Sequence, residues 1–140
     1  MTNLSGHAAV LMVDDDADVL DTTAHMLATR GFRVFTAPDQ ESALRVCREQ
    51  EGRIDALIAD LSLPGDSRGD LARAVSTEYP AMHVIYISGI PRHVALAQGL
   101  VRPDAPYLEK PAQPDVLASV LQSLLSENVG APAPATWWDE

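Results

Sequence analysis

Five short apolar runs recur along this chain, and each is followed by a stretch whose apolar residues return at helical spacing. The runs are 10–13, 32–36, 54–59, 84–87 and 107–108, and within them the apolar residues are nearly continuous rather than alternating. A strand reads this way when both of its faces are buried, which happens in parallel sheets covered by helices on either side. The expected helices span about 17–30, 39–50, 70–77, 93–100 and a last one opening at Pro114. Asp16 or Asp18 caps the first helix, Leu20, Ala24 and Leu27 form its apolar stripe, and Gly31 ends it. The second turns Ala43, Leu44 and Cys47 inward, the third Leu71, Ala74 and Val75, and the last carries Val116, Leu117, Val120, Leu121 and Leu124. The fourth is the weakest pattern, because its apolar residues are mostly alanine. The expected class is therefore α/β, with a doubly wound five-stranded parallel sheet.

Such sheets bind ligands outside the carboxyl ends of their strands. Four of the five runs end in polar residues there. The first leads into Asp14, Asp15 and Asp16, and the third into Asp60 ahead of Leu61-Ser62-Leu63-Pro64-Gly65. The fourth ends at Ser88-Gly89, and the fifth at Glu109-Lys110-Pro111. A helix cap and first-turn charge explain part of Asp14 to Asp16, but three adjacent acids exceed what capping requires.

An acidic cluster, a lone Asp, a hydroxyl and a Lys-Pro pair, in that order, resemble the receiver domain of two-component response regulators over about residues 8 to 125. The resemblance implies a flavodoxin-like (βα)5 fold with strand order 2-1-3-4-5. It also implies that Asp60 accepts a phosphoryl group from the phosphohistidine of a histidine kinase or phosphotransfer protein. Asp15 and Asp60 then bind Mg2+ directly, with Mn2+ as a substitute. Asp14 acts mostly through a metal-bound water, and the Ser62 backbone carbonyl completes the protein ligands. Hard cations of this kind prefer such oxygen ligands, and phosphoryl transfer needs the charge offset and the donors. By the same resemblance Ser88 and Lys110 hold phosphoryl oxygens, Gly89 leaves the acceptor accessible, and Tyr107 swings inward with the Ser88 hydroxyl. The Lys110–Pro111 bond is expected to be cis; X-Pro bonds carry most cis peptides. The loop Pro64 to Gly69 is one residue longer than the shortest receiver form, as in receivers of hybrid histidine kinases. Side chains at Ser62 and Ile90 are expected to face the water path to the phosphoryl group.

The rival class is an enzyme working through an aspartyl-phosphate, such as the haloacid dehalogenase group. Those enzymes want a second acid two residues after the nucleophile, where this chain has Ser62. A nucleotide binder would want a glycine-rich loop after the first strand, and none is present. The expectation is thus a switch module and not an enzyme. Its output stays open between onward relay, phosphate sink and a downstream protein partner.

At 140 residues with 46% hydrophobic content, one ordinary domain is expected. A net charge of −10 speaks against nucleic acid as a partner. Apolar runs of four or five residues fall far short of the roughly 20 that span a bilayer, and Met1 to Gly6 has no secretory pattern. One cysteine, Cys47, excludes an internal disulfide and fits a reducing cytoplasm. The histidines His7, His25, His83 and His93 form no metal or phosphotransfer set. Residues 1–7 are expected to be an extension, and 126–140, with Trp137 and Trp138, a flexible tail; no DNA-binding segment is visible.

Overall fold

A computed structural model describes residues 7–61, 63 and 69–127. The strands are β1 (Ala9–Val13), β2 (Arg33–Ala37), β3 (Ala56–Asp60), β4 (His83–Ser88) and β5 (Tyr107–Glu109). The helices between and after them are α1 (Ala17–Thr29), α2 (Gln40–Glu49), α3 (Asp70–Glu78), α4 (Arg92–Ala97) and α5 (Pro114–Glu127). All strand pairs are parallel, in the order β2-β1-β3-β4-β5. The expected fold and strand order are both present. The tail with Trp137 and Trp138 lies outside the described residues.

The period of two along each strand divides the core in two. Leu11, Val13, Leu57, Ala59, Val84 and Tyr86 face a cluster closed by α2, α3 and α4. Val10, Met12, Ala56, Ile58, Ile85 and Ile87 face a second one, which takes Leu20 and Leu27 from α1 and Leu117 and Leu121 from α5. β1 and β3 are buried along their whole lengths, which is why their sequences do not alternate.

Helix ends follow local chemistry. The Asp16 carboxylate accepts from the amides of Asp18 and Val19, so Asp16 is the α1 cap. Gly31, at φ +96°, closes its other end in the left-handed region. Asp39 caps α2 through the Ser42 amide at 2.8 Å. Several expectations shift: in α3 Ala72, not Ala74, joins Leu71 and Val75 in the core, and β3 begins at Ala56. α4 stops at Ala97 rather than near Leu100, because Gly99 turns left-handed (φ +69°) and Leu100 donates back to the Ala95 carbonyl. β2 begins at Arg33, since the Phe32 amide still serves the α1 end by donating to Leu27. Val116 is 46% exposed and does not belong to the α5 core stripe.

His83 opens β4 half-buried, and burial, reinforced by the Arg102 charge and opposed by Asp55, pulls its pKa below the ordinary 6.5. The unfolded chain therefore takes up this proton first as pH falls. Its stabilising contribution is complete above about 6.5 and is lost as pH drops through that value toward the folded pKa. His83→Asn should flatten the stability profile between about pH 7.5 and 5.5, read as urea midpoints; an unchanged slope would mean the ring stays hydrated.

Candidate functional site

The carboxyl ends of β1, β3, β4 and β5 converge on one cluster. Asp14 follows β1, and its amide donates to Ala37 at the end of β2, which fixes the chain as it leaves the sheet. Asp60 is the last residue of β3, and the next amide, Leu61, donates to Ile87 of β4. Asp14 and Asp60 are buried while Asp15 is exposed, and one carboxylate oxygen from each lies within 4.8 Å of the others. Three like charges this close repel strongly unless cations or protons offset them.

Among the described residues, the cation that pairs with this cluster is Lys110, the single lysine of the chain. Its Nζ lies 2.9 Å from Asp60 Oδ2 and 3.5 Å from Asp14 Oδ2. Burial acts to lower the lysine pKa, but the Asp60 hydrogen bond and the charges of Asp60 and Asp14 outweigh it and hold the ammonium form. Asp14 is pushed the other way from a usual carboxyl. Burial raises it, with repulsion from Asp60 adding, against the Asp16 amide at 2.9 Å and the Lys110 charge. Lys110 is placed by its backbone, whose amide donates to the Ser88 carbonyl at 2.8 Å, and the Lys110–Pro111 bond is cis as expected.

Ser88 is fully buried at the end of β4, and its Oγ accepts from the Ile90 amide at 3.0 Å. The Tyr107 hydroxyl donates to the Ile90 carbonyl, so one short turn is bound by both side chains. Burial raises the Tyr107 pKa, the Ser88 hydroxyl opposes this, and Glu109 adds to it. Tyr107 is thus half-buried beside Ser88. Its two chain neighbours aside, a Cβ at Gly89 would meet no atom of the described residues within 4 Å. Ile90 is partly buried against the α2–α4 side of the core.

The expected site residues Asp14, Asp15, Asp60, Ser88, Gly89, Tyr107 and Lys110 all lie at this edge. Ser62, the expected carbonyl ligand, lies outside the described residues. Two nearby contacts went unread in the sequence. Glu109 Oε2 accepts from the Arg92 amide at 3.1 Å, and the Tyr86 hydroxyl accepts from the Arg102 amide at 3.1 Å. Both are side-chain-to-backbone bonds across long sequence gaps, for which no local pattern exists.

The family model described as "Response regulator receiver domain" matches residues 10–122. Among curated proteins, the sensor kinase CckA of Brucella abortus is 30% identical over 128 residues, covering 90% of this chain and 13% of CckA. The transcriptional regulatory protein PrrA of Mycobacterium tuberculosis is 35% identical over 119 residues, covering 83% of this chain and 49% of PrrA. The chain thus spans about half or less of the length of these relatives. Among solved structures, the chemotaxis protein CheY4 of Vibrio cholerae is similar at a TM-score of 0.75 and 27% identity, over 85% of this chain and 99% of CheY4. A CheY-like receiver domain protein of Methanospirillum hungatei gives 0.72 and 26%, over 86% and 95%. Family match, strand order and the four converging strand ends agree: this chain belongs to the response regulator receiver domain family.

Proposed function

We propose that the chain is a phospho-accepting switch in which Asp60 takes a phosphoryl group from a phosphohistidine of a histidine kinase or phosphotransfer protein. The observation that carries this reading is the Asp60 carboxylate, buried at a strand end, 2.9 Å from Lys110 Nζ and clustered with Asp14 and Asp15. In the transfer the histidine N–P bond breaks, its electron pair stays on the ring nitrogen, and a bond forms from an Asp60 oxygen to phosphorus. Asp14, Asp15 and Asp60, with the Ser62 carbonyl, are the groups that would hold Mg2+, and Mn2+ would substitute. When bound, such an ion offsets the negative charge that builds on the transferring oxygens. Lys110 supplies a second positive charge, and Ser88 a hydroxyl donor once it turns from Ile90. Gly89, which carries no side chain beside Ser88, leaves the donor its approach.

The module acts on its own phosphoryl group and is not an enzyme with a separate substrate. Its placement is cytoplasmic, where the nucleotide-fed kinases of such relays act; among the described residues no helix is long and apolar enough to cross a membrane. Phosphorylation would turn Ser88 and Tyr107 and so alter the face made by β4, β5 and α4, which a downstream protein would read.

With acetyl phosphate and Mg2+, the protein should gain one phosphoryl group, stable in acid and labile in base, detected by intact mass. A chelator added beforehand should prevent it. Uptake at full level in the chelated sample would show that the acid cluster does not work through a cation.

A further inference from the structure

Three consecutive acids, Asp14, Asp15 and Asp16, carry the chain from β1 into α1, and only the first two have a place in the cation reading above. Asp16 stands outside the group of acids within 4.8 Å, which takes in Asp14, Asp15 and Asp60. Its polar groups work on both sides of the turn instead. The Asp16 carbonyl accepts from the Leu20 amide at 3.0 Å, and its Oδ1 accepts from the amides of Asp18 and Val19 at 3.0 and 3.2 Å. The Asp16 amide in turn donates to Asp14 Oδ1 at 2.9 Å.

Asp14 is thereby held at three atoms. Its amide donates to the Ala37 carbonyl at 3.2 Å, its Oδ1 takes the Asp16 amide, and its Oδ2 faces Lys110 Nζ at 3.5 Å. The two oxygens of a carboxylate turn together about one bond, so fixing Oδ1 also decides where Oδ2 lies. At 2% exposure, Asp14 has almost no water to replace a lost partner. The donor that fixes Oδ1 is a backbone group, and its direction follows from how the chain enters α1. That entry is what the Asp16 cap sets. Asp15 lies between the two pinned residues, so the same contacts fix its backbone.

We propose that Asp16 is a positioning residue of the acid cluster: by capping α1 it holds its own amide on Asp14 Oδ1, and that bond keeps Asp14 Oδ2 at the Lys110 ammonium, where the cluster would take a cation. This inference rests on the cation-assisted phospho-switch reading of Asp60. Asp16 touches neither cation nor phosphoryl group in it. What it supplies is a capping oxygen, and its charge is incidental. Hydrogen-bonded partners that orient metal ligands act in this way generally, and their loss typically weakens metal binding about 10- to 100-fold.

The test is Mn2+ binding to the whole chain, followed by loss of the free-ion electron paramagnetic resonance signal at about 0.15 M salt, where exposed charges more than about 8 Å apart are largely screened. Asp16→Gly separates position from stability, because glycine is a tolerated helix cap yet carries no acceptor oxygen. It should weaken Mn2+ binding about tenfold while the urea midpoint moves little. Asp16→Asn and Asp16→Ser keep a capping oxygen without the charge, and both should stay within about threefold of wild type. In the metal-free protein the Lys110 ammonium signal should move in Asp16→Gly and stay in place in Asp16→Asn, since its Asp14 contact depends on the same bond. Wild-type Mn2+ affinity in Asp16→Gly overturns the proposal and leaves Asp16 a helix cap only. Equal losses in Asp16→Asn and Asp16→Gly overturn it in favour of a charge effect. Absence of Mn2+ binding by the wild type overturns the cation reading, and this inference with it.

Discussion

Asp60→Asn should abolish phosphoryl uptake from acetyl phosphate, leaving no added mass where the wild type gains one group. The substitution keeps the shape of the side chain and an oxygen that can accept from Lys110 Nζ, now 2.9 Å from Asp60 Oδ2. What it removes is the anionic nucleophile, and an amide oxygen forms no stable bond to phosphorus under these conditions. Folding should change little. The lost ion pair with Lys110 is offset by relief of repulsion among three acids within 4.8 Å, so a net change within about 1 kcal/mol is expected. Uptake at the wild-type level in this variant would place the acceptor elsewhere, with Asp14 and Asp15 the next groups to change.

Lys110→Met should destabilise the metal-free protein. It takes away the cation that faces both Asp60 and Asp14, each 2% exposed. Breaking a fully buried pair costs about 3–5 kcal/mol, and the lysine side chain here is 38% exposed, so about 1–2 kcal/mol is the discounted expectation at neutral pH. The pH dependence has a definite sign. A carboxyl whose folded pKa is raised, as burial raises Asp14, binds its proton more tightly folded than unfolded. The penalty is therefore absent below the ordinary 3.8 and grows as pH rises through that value to the folded pKa. Removing Lys110 raises the folded value further. The variant should then differ most from wild type at neutral pH and least in acid. Millimolar Mg2+ should recover much of the loss by binding only the folded state. Equal destabilisation at both pH values, with or without Mg2+, would mean that the lysine stem matters for packing and its charge does not.

The sheet was readable because burial on both faces leaves its mark on composition. Leu11-Met12-Val13 and Leu57-Ile58-Ala59 have no solvent face to encode, so they stand out against their surroundings. The site was readable for a related reason: a parallel sheet gathers the residues after each strand, so order along the chain becomes neighbourhood in space. α4 was harder. Its alanines give a faint stripe, and its end depends on Gly99 adopting a left-handed conformation, which a pattern of apolar spacing does not register. Val116 follows the helical period and still faces outward, because α5 buries its surface mainly through Leu117 and Leu121. Tyr86 read as one more strand residue. Its hydroxyl matters only because a backbone amide sixteen residues later comes back to it, and that return is a property of the fold.

The solitary lysine gives this protein a built-in reporter. Supplying lysine as the only isotope-labelled amino acid yields one side-chain ammonium signal, and it originates between Asp14 and Asp60. Amine-directed reagents likewise have a single side chain to find, the chain's amino terminus aside. Occupancy of the acid cluster by cation, by phosphoryl group or by neither can thus be followed in the purified protein, in real time, from one native side chain.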